Sequence, residues 1–174
     1  MLKTRVFPCL LLQGAGLVKT VQFKNPFYIG DPINAVRIFN TKEVDELVLL
    51  DITATQENRR PSFDFISKIS DECRMPLTVG GGVRTLNDVK QLLSHGAEKV
   101  VINTQAVVCP EFVGEAAAEA GSQSVVVSID ARKKPDGSYE VYVEGGKKAA
   151  GLSPVRLAEQ EDKLGAGEIF LNSI

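Results

Sequence analysis

The chain is short of the residues that most often carry chemistry. Its 174 residues include one histidine, His95, and three cysteines, Cys9, Cys73 and Cys109. The cysteines are odd in number, widely spaced and without a CxxC pair. That argues against a disulfide framework or a zinc site and leaves them as small apolar residues. His95 precedes Gly96 at the end of an expected helix, where it partners the negative helix end or faces solvent rather than acting as a catalyst. Net charge is scarce as well: 20 Lys and Arg against 22 Asp and Glu leave −2, which gives no basis for binding nucleic acid or an anionic membrane. No apolar run reaches the roughly 18 residues that span a bilayer. The opening MLKTRVFPCLLLQGAG has a basic start and an apolar stretch, but the stretch is short and broken by Pro8. It reads as a first strand rather than a secretory leader, and the protein is expected in the cytoplasm. A P-loop lysine and a dinucleotide fingerprint are missing too, so no nucleotide is implied. No metal or other cofactor is expected.

What is present is a regular alternation. Short apolar, β-branched runs are expected as strands at Arg5–Leu12, Glu46–Asp51, Pro76–Val79, Lys99–Asn103, Ser124–Asp130 and Glu168–Asn172. Between them lie amphipathic helices, one opened by Asp31-Pro32 and ending near Asn40, others at Ser62–Cys73, from Thr85 to His95, from about Pro110 to Ala120, and after Ser153-Pro154. Apolar strands separated by single helices indicate a parallel sheet covered by helices, either doubly wound or closed into a barrel. Two insertions interrupt the rhythm. Gln13–Gly30 is expected as a long loop. Ala131–Gly151 carries Pro135-Asp136-Gly137 before the alternating Tyr139–Val143, a β-hairpin pattern. Each insertion follows the first strand of a set, and Asp45–Leu50 parallels Gly167–Asn172. This repeat favours a single domain over 1–174 built as two half-barrels, about 1–121 and 122–174, within a (β/α)₈ TIM-type barrel. Such a barrel needs roughly 250 residues. The chain is therefore expected to hold about six of the eight strands and to be incomplete, as a truncated piece would be.

In a barrel the chemistry gathers at the C-terminal strand ends. The polar residues assigned there are Asp51, Thr78, Gly80-Gly81-Gly82, Asn103-Thr104 and Asp130. A carboxylate closing an apolar strand is costly to keep for packing alone, which singles out Asp130. Asp51 is equally readable as a functional group, a supporting anchor or a helix cap. The glycine triplet is either a tight turn or a set of bare amides ahead of a helix, as a phosphate requires; Asn103 and Thr104 supply donors toward the same point. At the opposite end, Arg5, Glu46, Lys99 and Glu168 each open an expected strand. They are either scattered solvated charges or, alternating in sign, a closed salt-bridge ring that plugs or gates the barrel.

The segments VFPCLLLQ, GDPINAVRIFN, VDELVLLDITAT, PLTVGGGVRTLNDVKQLLSHGAEKVVINTQAV, GSQSVVVSIDARK and GAGEIFLNSI resemble the cyclase subunit of imidazole glycerol phosphate synthase, a lyase of histidine and amino-acid biosynthesis, over essentially the whole chain. The resemblance implies a (β/α)₈ barrel that forms a heterodimer with a glutaminase docked at the barrel bottom. Ammonia from that partner attacks a phosphoribulosyl-aminoimidazole-carboxamide ribonucleotide, giving imidazole glycerol phosphate and an aminoimidazole carboxamide ribonucleotide. Carried over residue by residue, it implies Arg5, Glu46, Lys99 and Glu168 as an ammonia gate and Asp130 as a catalytic carboxylate. It implies Lys19 as a loop lysine that closes on substrate, and Gly82, Asn103 and Thr104 as one phosphate site. Asp51 and Thr78 are supporting residues.

One position departs from the pattern. Where the family has an aspartate ending Pro-Cys-Leu-Asp, this chain has Pro8-Cys9-Leu10-Leu11. Positioned acid–base groups contribute roughly 10²–10⁴-fold each, so Leu11 removes one expected proton-transfer group. A variant branch of the family with an apolar residue here is the nearer likeness. Its members serve with an amidotransferase that makes acetamidino groups on surface-polysaccharide sugars.

Overall fold

The computed structural model describes residues 4–174. Met1, Leu2 and Lys3, the basic start of the segment weighed as a leader, lie outside the described residues. Six parallel strands alternate with helices, the architecture of an incomplete (β/α)₈ barrel: β1 (Cys9–Gln13), β4 (Leu47–Asp51), β5 (Leu77–Gly80), β6 (Lys99–Ile102), β7 (Val125–Lys133) and β10 (Glu168–Ser173). Each pairs with the next in that order. The helices are α1 (Pro32–Lys42), α2 (Phe63–Glu72), α3 (Leu86–Ser94), α4 (Thr104–Val108), α5 (Glu111–Ala120) and α6 (Pro154–Leu164). Their starts follow local chemistry. Asp31 and Ser153 accept from the amides of Asn34 and Arg156 ahead of a first-turn proline, and Thr85 forms a reciprocal capping box with Asp88.

Period-two alternation divides every strand between two environments. Leu47, Leu49, Leu77, Val79, Val100, Ile102, Val125, Val127 and Ile129 face outward and pack, fully buried, against Val36, Ile66, Ile69, Val89, Leu92, Phe112, Val113 and Leu157 of the helices. The alternate residues face the barrel axis: Lys99, Val101 and Asn103; Val126, Ser128 and Asp130; Glu168, Phe170 and Asn172.

Three expectations need correction. The first strand begins at Cys9, not Arg5. Pro8 has no N–H to give a ladder, and the preceding stretch is held instead by the Val6 amide donating to the Asp45 carboxylate at 2.8 Å. Glu46 likewise sits one residue ahead of its strand rather than opening it. The insertion Gln13–Gly30, expected as a loop, is an antiparallel pair, β2 (Gly16–Val21) and β3 (Lys24–Gly30), added to β1. Its β-branched and aromatic residues suit a pleated surface better than a loop. The second insertion is a hairpin: β8 (Tyr139–Val143) runs back along β7 from Lys133 to Asp130, and β9 (Lys148–Ala149) continues it.

One buried group is at odds with its surroundings. Glu161, on the core side of α6, is fully buried, and its Oε2 is the one buried side-chain oxygen without a partner among the described residues. Its Oε1 accepts only from Gln160 at 3.3 Å. Burial pushes its carboxyl from 4.5 up to about 7, with the Gln160 bond opposing. The folded pKa lies above the unfolded one. As pH rises from about 4.5 to about 7 the unfolded chain therefore ionises first, and stability falls before levelling off. The loss across that window is on the order of 3 kcal/mol. Glu161→Met should remove the slope and melt higher than wild type at pH 8. Melting curves at pH 5 and 8 check this, and parallel pH profiles for the two proteins would contradict it.

Candidate functional site

At the N-terminal end of the strands four charges close a ring. Lys99 Nζ lies 2.9 Å from Glu46 Oε2 and 2.8 Å from Glu168 Oε1. Arg5 completes the circuit at 3.2 Å from Glu168 Oε1 and 3.7 Å from Glu46 Oε2. The four members are unequally placed. Glu46 and Lys99 are buried, Glu168 is half-buried and Arg5 is exposed. Burial is the largest single effect on Lys99 and opposes its charge. Hydrogen bonds and attraction from Glu168 and Glu46 together outweigh it and hold the ammonium pKa above its usual value. For Glu168, burial is again the largest single effect and raises the carboxyl pKa, but Lys99 and Arg5 overcome it and hold it below the usual carboxylate range. The Lys99 contribution to stability is thus complete below the unfolded lysine pKa and lost as pH rises through the raised value. That of Glu168 is present above the unfolded glutamate pKa and lost as pH falls through the lowered one.

Thr78 belongs to this end. Its expected place was the opposite face, but it is only the second residue of a four-residue strand. Its hydroxyl, fully buried, donates to Glu46 Oε1 at 2.5 Å. Val48, Val101 and Val126, which alternate with the core-facing residues of β4, β6 and β7, are all buried.

At the C-terminal strand ends a cavity of about 480 Å³ opens, bordered by Leu11, Gly82, Asn103, Thr104 and Asp130 among others. Asp130 is 6% exposed. Asn103 Nδ2 donates to its Oδ2 at 3.3 Å, and Asn172 Nδ2 to its Oδ1 at 3.1 Å. Burial pushes the carboxyl above its ordinary range, and the two amides pull it part of the way back. Asn103 also donates to the Ser128 carbonyl at 2.9 Å. The Thr104 hydroxyl donates to Asn103 Oδ1 at 3.3 Å and accepts from the Glu144 amide at 3.2 Å. Both residues expected as phosphate ligands are therefore tied into the wall. Gly82 has φ +74°, and a Cβ there would stand 2.6 Å from the Arg59 carbonyl, so only glycine fits the turn leading to α3.

Asp51 is an anchor of the loop that follows β4. One oxygen accepts from the Thr53 and Ala54 amides, both at 3.0 Å, and the other from Arg59 at 3.0 Å. Lys19 is not brought in. It is exposed on β2, and the neighbouring Thr20, Gln22 and Phe23 border the cavity in its place. Leu11 stands on the cavity wall beside Leu50, its partner in the parallel register. Sequence reasoning missed Asn172. Its signal was present, since it is a polar residue closing an otherwise apolar strand, as Asp130 is.

Among the described residues no helix is long and apolar enough to cross a membrane, and no group of three or more potential ligands could hold a metal ion. A family model described as histidine biosynthesis protein matches residues 5–174. A Pseudomonas aeruginosa protein provisionally named as an imidazole glycerol phosphate synthase subunit, hisF2, is 51% identical over 100% of this chain and 69% of its own length. A Leptospira interrogans protein with the provisional name HisF subunit is 48% identical, with the same coverage. The imidazole glycerol phosphate synthase subunit HisF of Streptococcus mutans is 44% identical, also over 100% and 69%.

The unequal burial of the ring sets its response to substitution. Lys99→Ala strands the buried Glu46 and should cost on the order of 3–5 kcal/mol. Arg5→Ala removes a solvated partner and should cost about 0–1 kcal/mol. Urea denaturation measures both. Equal, small losses would mean that the ring does not act as a buried unit.

Proposed function

The chain belongs to the histidine biosynthesis protein family, and on that footing we propose that it is a cyclase-type subunit of imidazole glycerol phosphate synthase supplied with ammonia by a glutaminase. In this reading the partner docks at the charged ring, as one half of a heterodimer. Arg5, Glu46, Lys99 and Glu168 gate the entry of ammonia along the barrel axis. The substrate is a phosphorylated ribonucleotide seated in the cavity at the other end, with its phosphate near Gly82, Asn103 and Thr104. Asp130 takes and returns the proton as nitrogen adds and the imidazole ring closes, while Lys19 reaches the substrate by movement of the β2–β3 hairpin. The two halves of the reading, entry and chemistry, fall on one inward strand face. Lys99 and Val101 share it on β6, with Asn103 just past the strand end, and Glu168, Phe170 and Asn172 share it on β10. That shared face is the observation that carries the proposal.

Leu11 supports a second reading. An aspartate there would face the cavity along with Asp130 and divide the proton transfers with it. Leucine cannot. In the second reading the barrel, a paralogue with reduced cyclase chemistry, conducts ammonia for an amidotransferase that forms acetamidino groups on surface-polysaccharide sugars. A charged ring at one end and, among the described residues, a cavity carboxylate with no ion-pair partner at the other support either role, and the cyclase assay separates them.

The test supplies the ribonucleotide substrate with ammonium salts and measures imidazole glycerol phosphate. Wild type should turn over slowly, and Leu11→Asp should raise the rate by roughly 10²–10⁴-fold. Wild-type turnover equal to that of Leu11→Asp would show that Leu11 costs nothing. No product from either protein would overturn the cyclase reading in favour of the conduit.

A further inference from the structure

Asp130 has an unusual set of neighbours for a buried carboxylate. No cation lies within ion-pairing distance of it among the described residues. The charged groups that share its cavity are committed elsewhere. Asp51 is bound to Arg59, and Arg84 donates to Asn58 and to the Thr55 carbonyl. On the hairpin side, Asp130 is the register partner of Tyr142, whose ring lies 4.1 Å beneath the Arg132 guanidinium. Arg132 is itself held by the Gly146 carbonyl. What reaches the Asp130 oxygens is two neutral carboxamides, one from the strand on each side.

The two are not equivalent. Asn103 divides its amide between the Ser128 carbonyl at 2.9 Å and Asp130 at 3.3 Å, so its better bond goes to the backbone. Asn172 is the direct register partner of Asp130 across β7 and β10, and 3.1 Å separates its Nδ2 from Oδ1. The amide presents its NH₂ end to Oδ1, the arrangement that suits an ionised carboxylate, which only accepts. With leucine at position 11, this carboxylate is the proton-handling group that remains on the cavity wall.

The geometry points to Asn172 as a positioning residue, the principal member of a two-amide clamp that keeps Asp130 oriented into the cavity and ionised without a counter-cation. The clamp deepens the cyclase reading, on which its catalytic consequence rests: a carboxylate held as the anion can take up a proton from the adding nitrogen, and a neutral acid cannot. The clamp itself requires no substrate, ammonia or partner.

Its test is the titration of Asp130 in the unliganded protein, followed by NMR of ¹³C-labelled aspartate carboxyls. Removing a hydrogen bond to a charged group should weaken the acid about tenfold, a shift of about one pH unit upward in Asn172→Leu. Asn172→Asp, of nearly the same shape, exchanges the donor for a second carboxylate and should move the Asp130 midpoint further up. Asn172→Thr restores a donor and should return it part of the way. An Asp130 midpoint unchanged in Asn172→Leu, with the rest of the spectrum native, overturns the proposal. Should Asn172→Leu not fold, a midpoint in Asn172→Asp no higher than wild type does so. A silent cyclase assay with these shifts present would instead overturn the function while leaving the clamp in place.

Discussion

The structure depends on how it keeps charge inside a barrel wall made of apolar strands. Lys99 and Glu46 are buried at the strand starts, where an isolated ion of either sign would cost several kcal/mol. They persist because each has a partner, and the partners come from distant parts of the chain. Arg5 precedes β1, Glu46 precedes β4, Lys99 opens β6 and Glu168 opens β10. A register slip of one residue in β6 or β10 would turn its charge toward the helices and its apolar partners toward the axis. The ring therefore ties strand register to electrostatics. The same register sets Asn172 opposite Asp130 at the other end, where Asn103, just past β6, also donates to the Asp130 carboxylate.

The two ends solve the desolvation problem differently. The ring neutralises charge with charge, each cation lying within 4 Å of both carboxylates. The Asp130 end uses dipoles: two carboxamides meet a carboxyl group with no cation beside it among the described residues, next to an open cavity. That is the arrangement expected where a charge must later meet a ligand or a proton, since a salt bridge there would first have to be broken. Leu11 sharpens the contrast. It lines the cavity with Leu50 and Phe170 and, of the two aspartates described there, Asp51 is held by an arginine and Asp130 is not.

Much of this was legible in the sequence. The six parallel strands and their order followed from apolar runs separated by capped helices, because strands buried on both sides cannot hide in a polar pattern. The ring members could be picked out because a charge at the mouth of an apolar strand is conspicuous. What was lost was depth along the strand and contacts across it. Thr78 was placed at the wrong end because β5 is only four residues long, so one residue of error in its bounds moves a side chain from mid-barrel to rim. The β2–β3 pair was read as a loop because its glycines and polar residues mask a short alternating pattern. Asn172 was passed over because a carboxamide carries no charge to draw attention. Its meaning appears only when the β7–β10 register sets it opposite Asp130.

The buried charges persist only if the ring is one coupled unit. A double-mutant cycle between Glu46→Gln and Lys99→Met, read by urea denaturation, tests this most directly. Coupled charges in a buried contact should give an interaction energy of about 1 kcal/mol or more, the double mutant losing less than the sum of the singles. Losses that add within about 0.3 kcal/mol would mean that Glu46 and Lys99 do not depend on each other, and would contradict the account.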